Sequence, residues 1–290
     1  MSLISLKEML QEARAKHYAV PMFDVSSDAM IRLAVEVAQE ERSPILLGAI
    51  QPDIDGSRLA YWVECCKIGA KQVDIPVCIH LDHATTFEQC VRCAEAGFTG
   101  VMIDASVCDF DENVRRTKEV CDAMKKYGIS VEAELGHVGD GIAGGGEAAL
   151  TGHSDEGSLT EPQKVVEFIE RTNVDALAVA IGTAHGVYVK APKLDIERLA
   201  EINKISSVPL VLHGGSGTPE DQLRNAIKHG VAKINIYSEI MHAWNATMLK
   251  TLSESKNLSC WLSVANAPSE KALKEAMRAK IRLFGSNNQI

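Results

Sequence analysis

The stretch IPVCIHLDHATTFEQCVRCAEAGFTGVMIDAS, residues 75 to 106, contains two short apolar runs separated by one amphipathic pattern. IPVCIHLD, at 75 to 82, has the length and residue types of a buried strand. TFEQCVRCAEAG then repeats apolar residues every three or four positions and stops at Gly97, a left-handed helix cap. GVMIDAS, at 100 to 106, is strand-like again. Two strands joined through a helix run parallel, because a parallel pair needs a long crossover. The first run also ends in three titratable groups, His80, Asp82 and His83, which a buried strand has no structural reason to carry.

Working outward, the same unit recurs at YAVPMFDV (18 to 25), SPILLGAI (43 to 50), ISVEAELG (129 to 136), DALAVAIG (175 to 182), VPLVLHGG (208 to 215) and VAKINIYS (231 to 238). With the two runs above, eight strands alternate with helical patterns such as DAMIRLAVEVAQEE, EPQKVVEFIERT and EDQLRNAIKHG. That alternation predicts an α/β fold, a (β/α)8 TIM barrel occupying residues 1–290 as a single domain. An open doubly wound sheet is the alternative. A helix before the first strand is expected to cap the barrel bottom. A helical C-terminal extension after Ser238, ending in EKALKEAMRAKIRLFGS, is expected to pack on a neighbouring subunit.

The chain has 290 residues, 46% of them hydrophobic, which suffices for one large core. Its net charge of −9 offers no basic field to nucleic acid or to anionic membrane. The N-terminal segment is punctuated by Lys7, Glu8, Glu12 and Arg14, unlike a signal peptide, and no apolar run approaches the ~20 residues of a membrane span. A cytoplasmic protein is expected, its eight scattered cysteines reduced and buried; Cys90 and Cys93 form a C-x-x-C pair without a partner pair at zinc-site spacing.

A barrel of this kind binds substrate at the C-terminal ends of its strands. Those ends carry Asp24, then His80, Asp82 and His83, then Asp104 and Ser106, Glu132 and Glu134, His185 in GTAHG, His213 before GGSG, and Asn235 with Ser238. A lone barrel histidine is more often a hydrogen-bonded structural group than a ligand. Three near strand ends, His83, His185 and His213, suit Zn²⁺ with an open coordination position. Asp104 and Glu134 could support those ligands or offer another metal position. The remaining histidines read as structural, His80 as a support for Asp82. HGGSG at 213 to 217 and NIYSE at 235 to 239 each precede a helix, on the two strands where such barrels commonly hold phosphate. Zinc that polarises a carbonyl, beside a carboxylate that moves a hydroxyl proton, suggests aldol cleavage. A zinc hydrolase explains the histidines but not the paired phosphate loops; a non-catalytic sugar-phosphate-binding subunit explains the loops but not Asp82 beside the histidines.

HLDHATTFEQCVRCAEAGFTGVMIDAS, VEAELGHVG, ALAVAIGTAHGVY, PLVLHGGSG and AKINIYSE together resemble the class II, zinc-dependent ketose-bisphosphate aldolases, the fructose- and tagatose-bisphosphate branch in particular. The resemblance implies Asp82 as the proton carrier and His83, His185 and His213 as zinc ligands, with Glu134 and Asp104 able to hold the metal when it moves. It implies a dihydroxyacetone-phosphate site at Gly186, Gly214, Gly215, Ser216, Asn235, Ile236, Tyr237 and Ser238, supported by a monovalent cation (Na⁺ or K⁺). It also implies a homodimer or homotetramer, a sugar-phosphate substrate, and a loop acid that reprotonates the three-carbon fragment. Glu147 in GGGEA, within the glycine-rich segment after the fifth strand, is the candidate for that acid and Asp140 its competitor. The chain departs from its relatives at Phe23-Asp24, where many have Phe-Asn, in LLGAIQPD after the second strand, and at Tyr237. Those departures point to an aldehyde half other than glyceraldehyde 3-phosphate, because an inward Asp24 carboxylate repels a second phosphate.

Overall fold

A computed structural model describes residues 2–139, 157–186, 188 and 191–290. Its strands are β1 (Val20–Asp24), β2 (Ile45–Ala49), β3 (Val77–Ala84), β4 (Gly100–Ile103), β5 (Ser130–Leu135), β6 (Ala176–Val179), β7 (Leu210–Leu212) and β8 (Val231–Ile236). They pair in parallel in sequence order, and β8 returns to β1, closing the barrel. Closure excludes the open doubly wound sheet, since an open sheet would leave β1 and β8 unpaired.

Parity along each strand separates two cores. In β3, Val77, Ile79 and Leu81 join the apolar layer between the barrel and its helices, while Cys78 belongs to the cluster in the lumen. Helix α1 (Leu6–Lys16), capped by Ser5, sends Leu6, Met9 and Leu10 into that lumen cluster against Met22 and Leu46. The lumen is thus sealed at the bottom by α1, as the sequence suggests, and the polar ends of the strands face the other way.

The outer helices α2 (Asp28–Glu41), α3 (Arg58–Lys71), α4 (Phe87–Ala96), α5 (Phe110–Met124), α6 (Pro162–Thr172), α7 (Ile196–Ile205) and α8 (Glu220–Lys228) follow the expected patterns. Helix α4 shows why they start where they do: Thr86 accepts from the Gln89 amide, and the Gln89 side chain returns a bond to the Thr86 amide. After β8 come α9 (Ser238–Ser253) and α10 (Leu262–Leu283), which pack on each other. Helix α10 also lies against α2, where Arg278 and Arg282 pair with Glu41.

Several strands are shorter than their apolar runs. β7 ends at Leu212, although the apolar run reaches Gly215, because Gly214 takes φ +67° and turns the chain out of the sheet. Apolarity reports burial, and the loop beyond the strand is buried as well; His213 is 0% exposed.

Candidate active site

Glu132 and Glu134 point inward from β5, and Lys233 and Asn235 do the same from β8. At the lower level Glu132 accepts from Lys233 Nζ with both oxygens, at 2.9 and 2.8 Å, and faces His213 Nε2 at 2.9 Å. His80 Nε2 comes within 3.5 Å of the same carboxylate without a hydrogen bond to it, and His80 makes none to Asp82, the partner expected from sequence. All four side chains are fully buried. Burial opposes ionisation of Glu132, but Lys233 and the His213 hydrogen bond outweigh it and hold the carboxyl below the usual range. His80 is pushed down to about 3, first by burial and then by Lys233.

One layer higher, β3 breaks its own alternation. His83 takes φ +45°, a conformation costly for a residue with a Cβ, and the pairing with β4 shifts register between Leu81 and Ala84. As a result Asp82 and His83, neighbours in sequence, both line one cavity. A regular strand would have sent them to opposite faces.

That cavity, of about 290 Å³, suits a small metabolite and not a polymer. His83, His185 and His213 present nitrogens that lie within 4.8 Å of one another. His83, Asp104 and Glu134 form a second such group, so the two supporting carboxylates are also where the sequence suggests. His83 Nδ1 bonds Asp104 Oδ2 at 2.9 Å, and this bond overcomes the effect of burial to keep the Asp104 carboxyl ionised at unusually low pH. Glu134 Oε1 accepts from the Val138 amide at 2.8 Å.

The donor set fits a metal cation. Asp104 orients Nδ1 of His83 and Glu132 orients Nε2 of His213, so with ring protons on those atoms the remaining nitrogens present lone pairs. Those two nitrogens, His83 Nε2 and His213 Nδ1, face each other at 2.7 Å. Two facing lone pairs repel unless a proton or a cation joins them. Burial, then neighbouring histidines, push both His185 and His213 toward the neutral form that ligation requires.

Asp82 is 4% exposed and accepts from Asn235 Nδ2 at 3.1 and 3.2 Å; its Oδ2 is 3.9 Å from His83 Nε2. Gly186, Gly214, Ser216, Tyr237 and Ser238 share the cavity lining, and Ser238 opens α9. Ser216 Oγ accepts from the Tyr237 and Glu239 amides at 3.1 and 3.3 Å, docking the loop after β7 onto that helix start. Gly214 cannot carry a side chain, because a Cβ would lie 2.4 Å from the Ala184 carbonyl oxygen. Two expected members differ in kind. The Gly215 amide already donates to the Asn235 carbonyl at 3.2 Å, and the Ile236 side chain belongs to the outer core, leaving only its backbone for a ligand.

His137 pairs with Ser158 through two backbone bonds of 2.8 Å, and its Nδ1 lies 2.8 Å from Ser106 Oγ. Glu147 and Asp140 lie outside the described residues. Sequence reading assigned no role to Glu132, Lys233, Asp53 or Tyr188. A lysine inside the apolar run VAKINI was the available signal for the first pair. Tyr188, whose hydroxyl donates to the Gly214 carbonyl at 2.8 Å and accepts from the Ala184 amide at 2.9 Å, left no signal.

A closed parallel barrel with imidazoles, carboxylates and a helix start gathered at the C-terminal rim defines a barrel enzyme with a candidate metal centre. The family model of class-II fructose-bisphosphate aldolase matches residues 4–289, and the chain belongs to that family. It is accordingly an aldolase, a lyase. The 6-phospho-5-dehydro-2-deoxy-D-gluconate aldolase of Bacillus subtilis (strain 168) is 37% identical over 292 aligned positions, covering 99% of this chain and 97% of the relative. The crystal structure of the YdjI aldolase from Escherichia coli K12 superposes with a TM-score of 0.84 at 33% identity, covering 99% of both chains. Fructose-bisphosphate aldolase from Campylobacter jejuni, 20% identical, shares the fold with a TM-score of 0.82 over 100% of this chain and 97% of the other. No helix among the described residues is long and apolar enough to cross a membrane.

Proposed function

We propose that the chain is a zinc-dependent aldolase that reversibly cleaves a phosphorylated ketose, either tagatose or fructose 1,6-bisphosphate or a related ketose 1-phosphate, into dihydroxyacetone phosphate and an aldehyde. The observation that carries this reading is Asp82, held by Asn235 beside three converging imidazoles. His83, His185 and His213 would hold the zinc, with Asp104 and Glu134 supporting them or receiving a displaced ion. Bound there, zinc would polarise the substrate carbonyl as a Lewis acid.

The chain's own residues divide the remaining work. Asp82 takes the proton of the C4 hydroxyl as the C3–C4 bond breaks; the bonding pair stays with C3 and the aldehyde leaves. C3 is then protonated by a loop acid, for which Glu147 is the candidate and Asp140 the competitor. Asn235 keeps the Asp82 carboxylate aimed at the hydroxyl. The phosphate would rest on Gly186, Gly214, Ser216 and the start of α9, where backbone N–H groups and the helix dipole favour an anion, with a monovalent cation as further support. The Bacillus subtilis relative, whose named substrate carries one phosphate, supports keeping monophosphates in the substrate range.

Release of dihydroxyacetone phosphate, read with a coupled dehydrogenase, tests the reaction. A chelator should abolish it, Zn²⁺ should restore it, and borohydride should trap no lysine adduct; a trapped adduct would refute the zinc reading. Asp82→Ala should retain stoichiometric zinc yet lose turnover by about 10²- to 10⁴-fold. Loss of the metal instead would make Asp82 a structural residue.

A further inference from the structure

Beside the residues assigned above to phosphate and metal, the cavity is lined by Asp24, Ile50, Pro52 and Asp53. Asp24 ends β1 and is 5% exposed; Asp53 sits in the short 3-10 turn Gln51–Ile54 after β2. Each carries a buried carboxyl oxygen with no hydrogen-bond partner, Oδ1 of Asp24 and Oδ2 of Asp53. Buried polar atoms are rarely left unpaired, because desolvation then goes uncompensated. Two of them on one cavity point to a ligand that brings hydrogen-bond donors.

Gly48 of β2 shows that the space for Asp24 is built in. A Cβ there would stand 2.4 Å from Asp24 Oδ1, so any other residue would expel the carboxyl from its position. Among the described residues, the lining contains no lysine or arginine. Lys233, deeper in the lumen, is engaged by both oxygens of Glu132. An anionic group at this end would meet Asp24 and Asp53 with no lysine or arginine of the lining to offset them.

Resting on the aldolase reading above, we infer that Asp24 and Asp53 form the subsite for the aldehyde half and select a neutral, hydroxylated aldehyde over one ending in phosphate or carboxylate. Hydroxyls of such an aldehyde would pair with the two orphaned oxygens. Tyr237 lies near enough to both acids that their charges, after burial, raise its own pKa, keeping its hydroxyl a donor at the same subsite.

The condensation direction tests the subsite directly. Zinc-loaded enzyme would be given dihydroxyacetone phosphate with glyceraldehyde, glyceraldehyde 3-phosphate or succinate semialdehyde. kcat/KM for glyceraldehyde should exceed that for either anionic aldehyde by about tenfold or more, and Asp24→Asn with Asp53→Asn should narrow the gap about tenfold, chiefly by lowering KM for the anions. Equal or better use of an anionic aldehyde by the unaltered enzyme, or a gap that the double variant leaves unmoved, overturns the inference. Solvent deuterium exchange into dihydroxyacetone phosphate, followed by NMR without any aldehyde, separates the two levels. Exchange together with a preference for an anionic aldehyde sinks the subsite alone, whereas absence of exchange sinks the aldolase reading on which it rests.

Discussion

Two hydrogen bonds from Asn235 Nδ2 set the direction of the Asp82 carboxylate, and two from Lys233 Nζ set that of Glu132. The second pair lies entirely inside the barrel and also faces His213 Nε2. Glu132→Gln would leave Lys233 without its counter-charge and His213 without its anionic partner. Breaking a buried ion pair in this way typically costs about 3–5 kcal/mol, and losing the carboxylate behind a ligating histidine lowers metal affinity about 10- to 100-fold. Chemical denaturation and chelator competition would measure the two effects separately; a normal metal affinity would reduce Glu132 to a purely structural role. His80 adds a pH signature. It binds its proton less readily when folded, with a pKa of about 3 against 6.5, so the unfolded chain takes up protons first as the pH falls. Stability should therefore be complete above about pH 6.5 and decline toward pH 3, and His80→Gln should flatten that decline in denaturation curves recorded across the range. Asp82 and the three histidines were legible from sequence because each follows an apolar run with no structural reason to be there. Lys233 and Glu132 were harder, since a charge in the middle of a strand shows its purpose only when the partner strand across the lumen is known.

The site depends on where particular elements stop or bend. β3 reaches Ala84 only by passing through His83 at φ +45°, and β7 ends early so that Gly214, at φ +67°, can approach the Ala184 carbonyl. Gly214→Ala would combine a left-handed backbone with a Cβ 2.4 Å from that oxygen. A loss of about 1–3 kcal/mol is expected for such strain, together with weaker binding of dihydroxyacetone phosphate; thermal melting and calorimetry would show both. Retained ligand affinity would mean that the loops after β6 and β7 need not touch to hold a phosphate. Helix patterns transferred well from sequence to structure, as α4 with its Thr86–Gln89 box shows. Strand ends did not, because strand and buried loop share one apolar signal and only the φ angle at the turn distinguishes them.

Across the whole molecule, α1 closes one end of the lumen and the rim loops shape the other, so chemistry collects where the barrel is open. The tip joining α9 and α10 exposes Leu249 (72%), Leu258 (71%), Trp261 (83%) and Leu262 (77%). If the chain self-associates as the resemblance implies, this exposed apolar tip is the first place to test for the homodimer or homotetramer contact. Leu258→Asp with Trp261→Asp should lower the mass found by sedimentation equilibrium; an unchanged mass would place any self-association elsewhere. The sequence by itself determined the parallel barrel, the rim histidines and Asp82, because strand and helix periodicity and misplaced polar residues are local signals. Only the tertiary structure decided that Glu132 and Lys233 meet across the lumen, that His83 turns inward beside Asp82, and that Asp24 and Asp53 share a cavity with two unpaired oxygens. These pairings bring together residues from different strands and loops, and such proximity exists only once the barrel has closed.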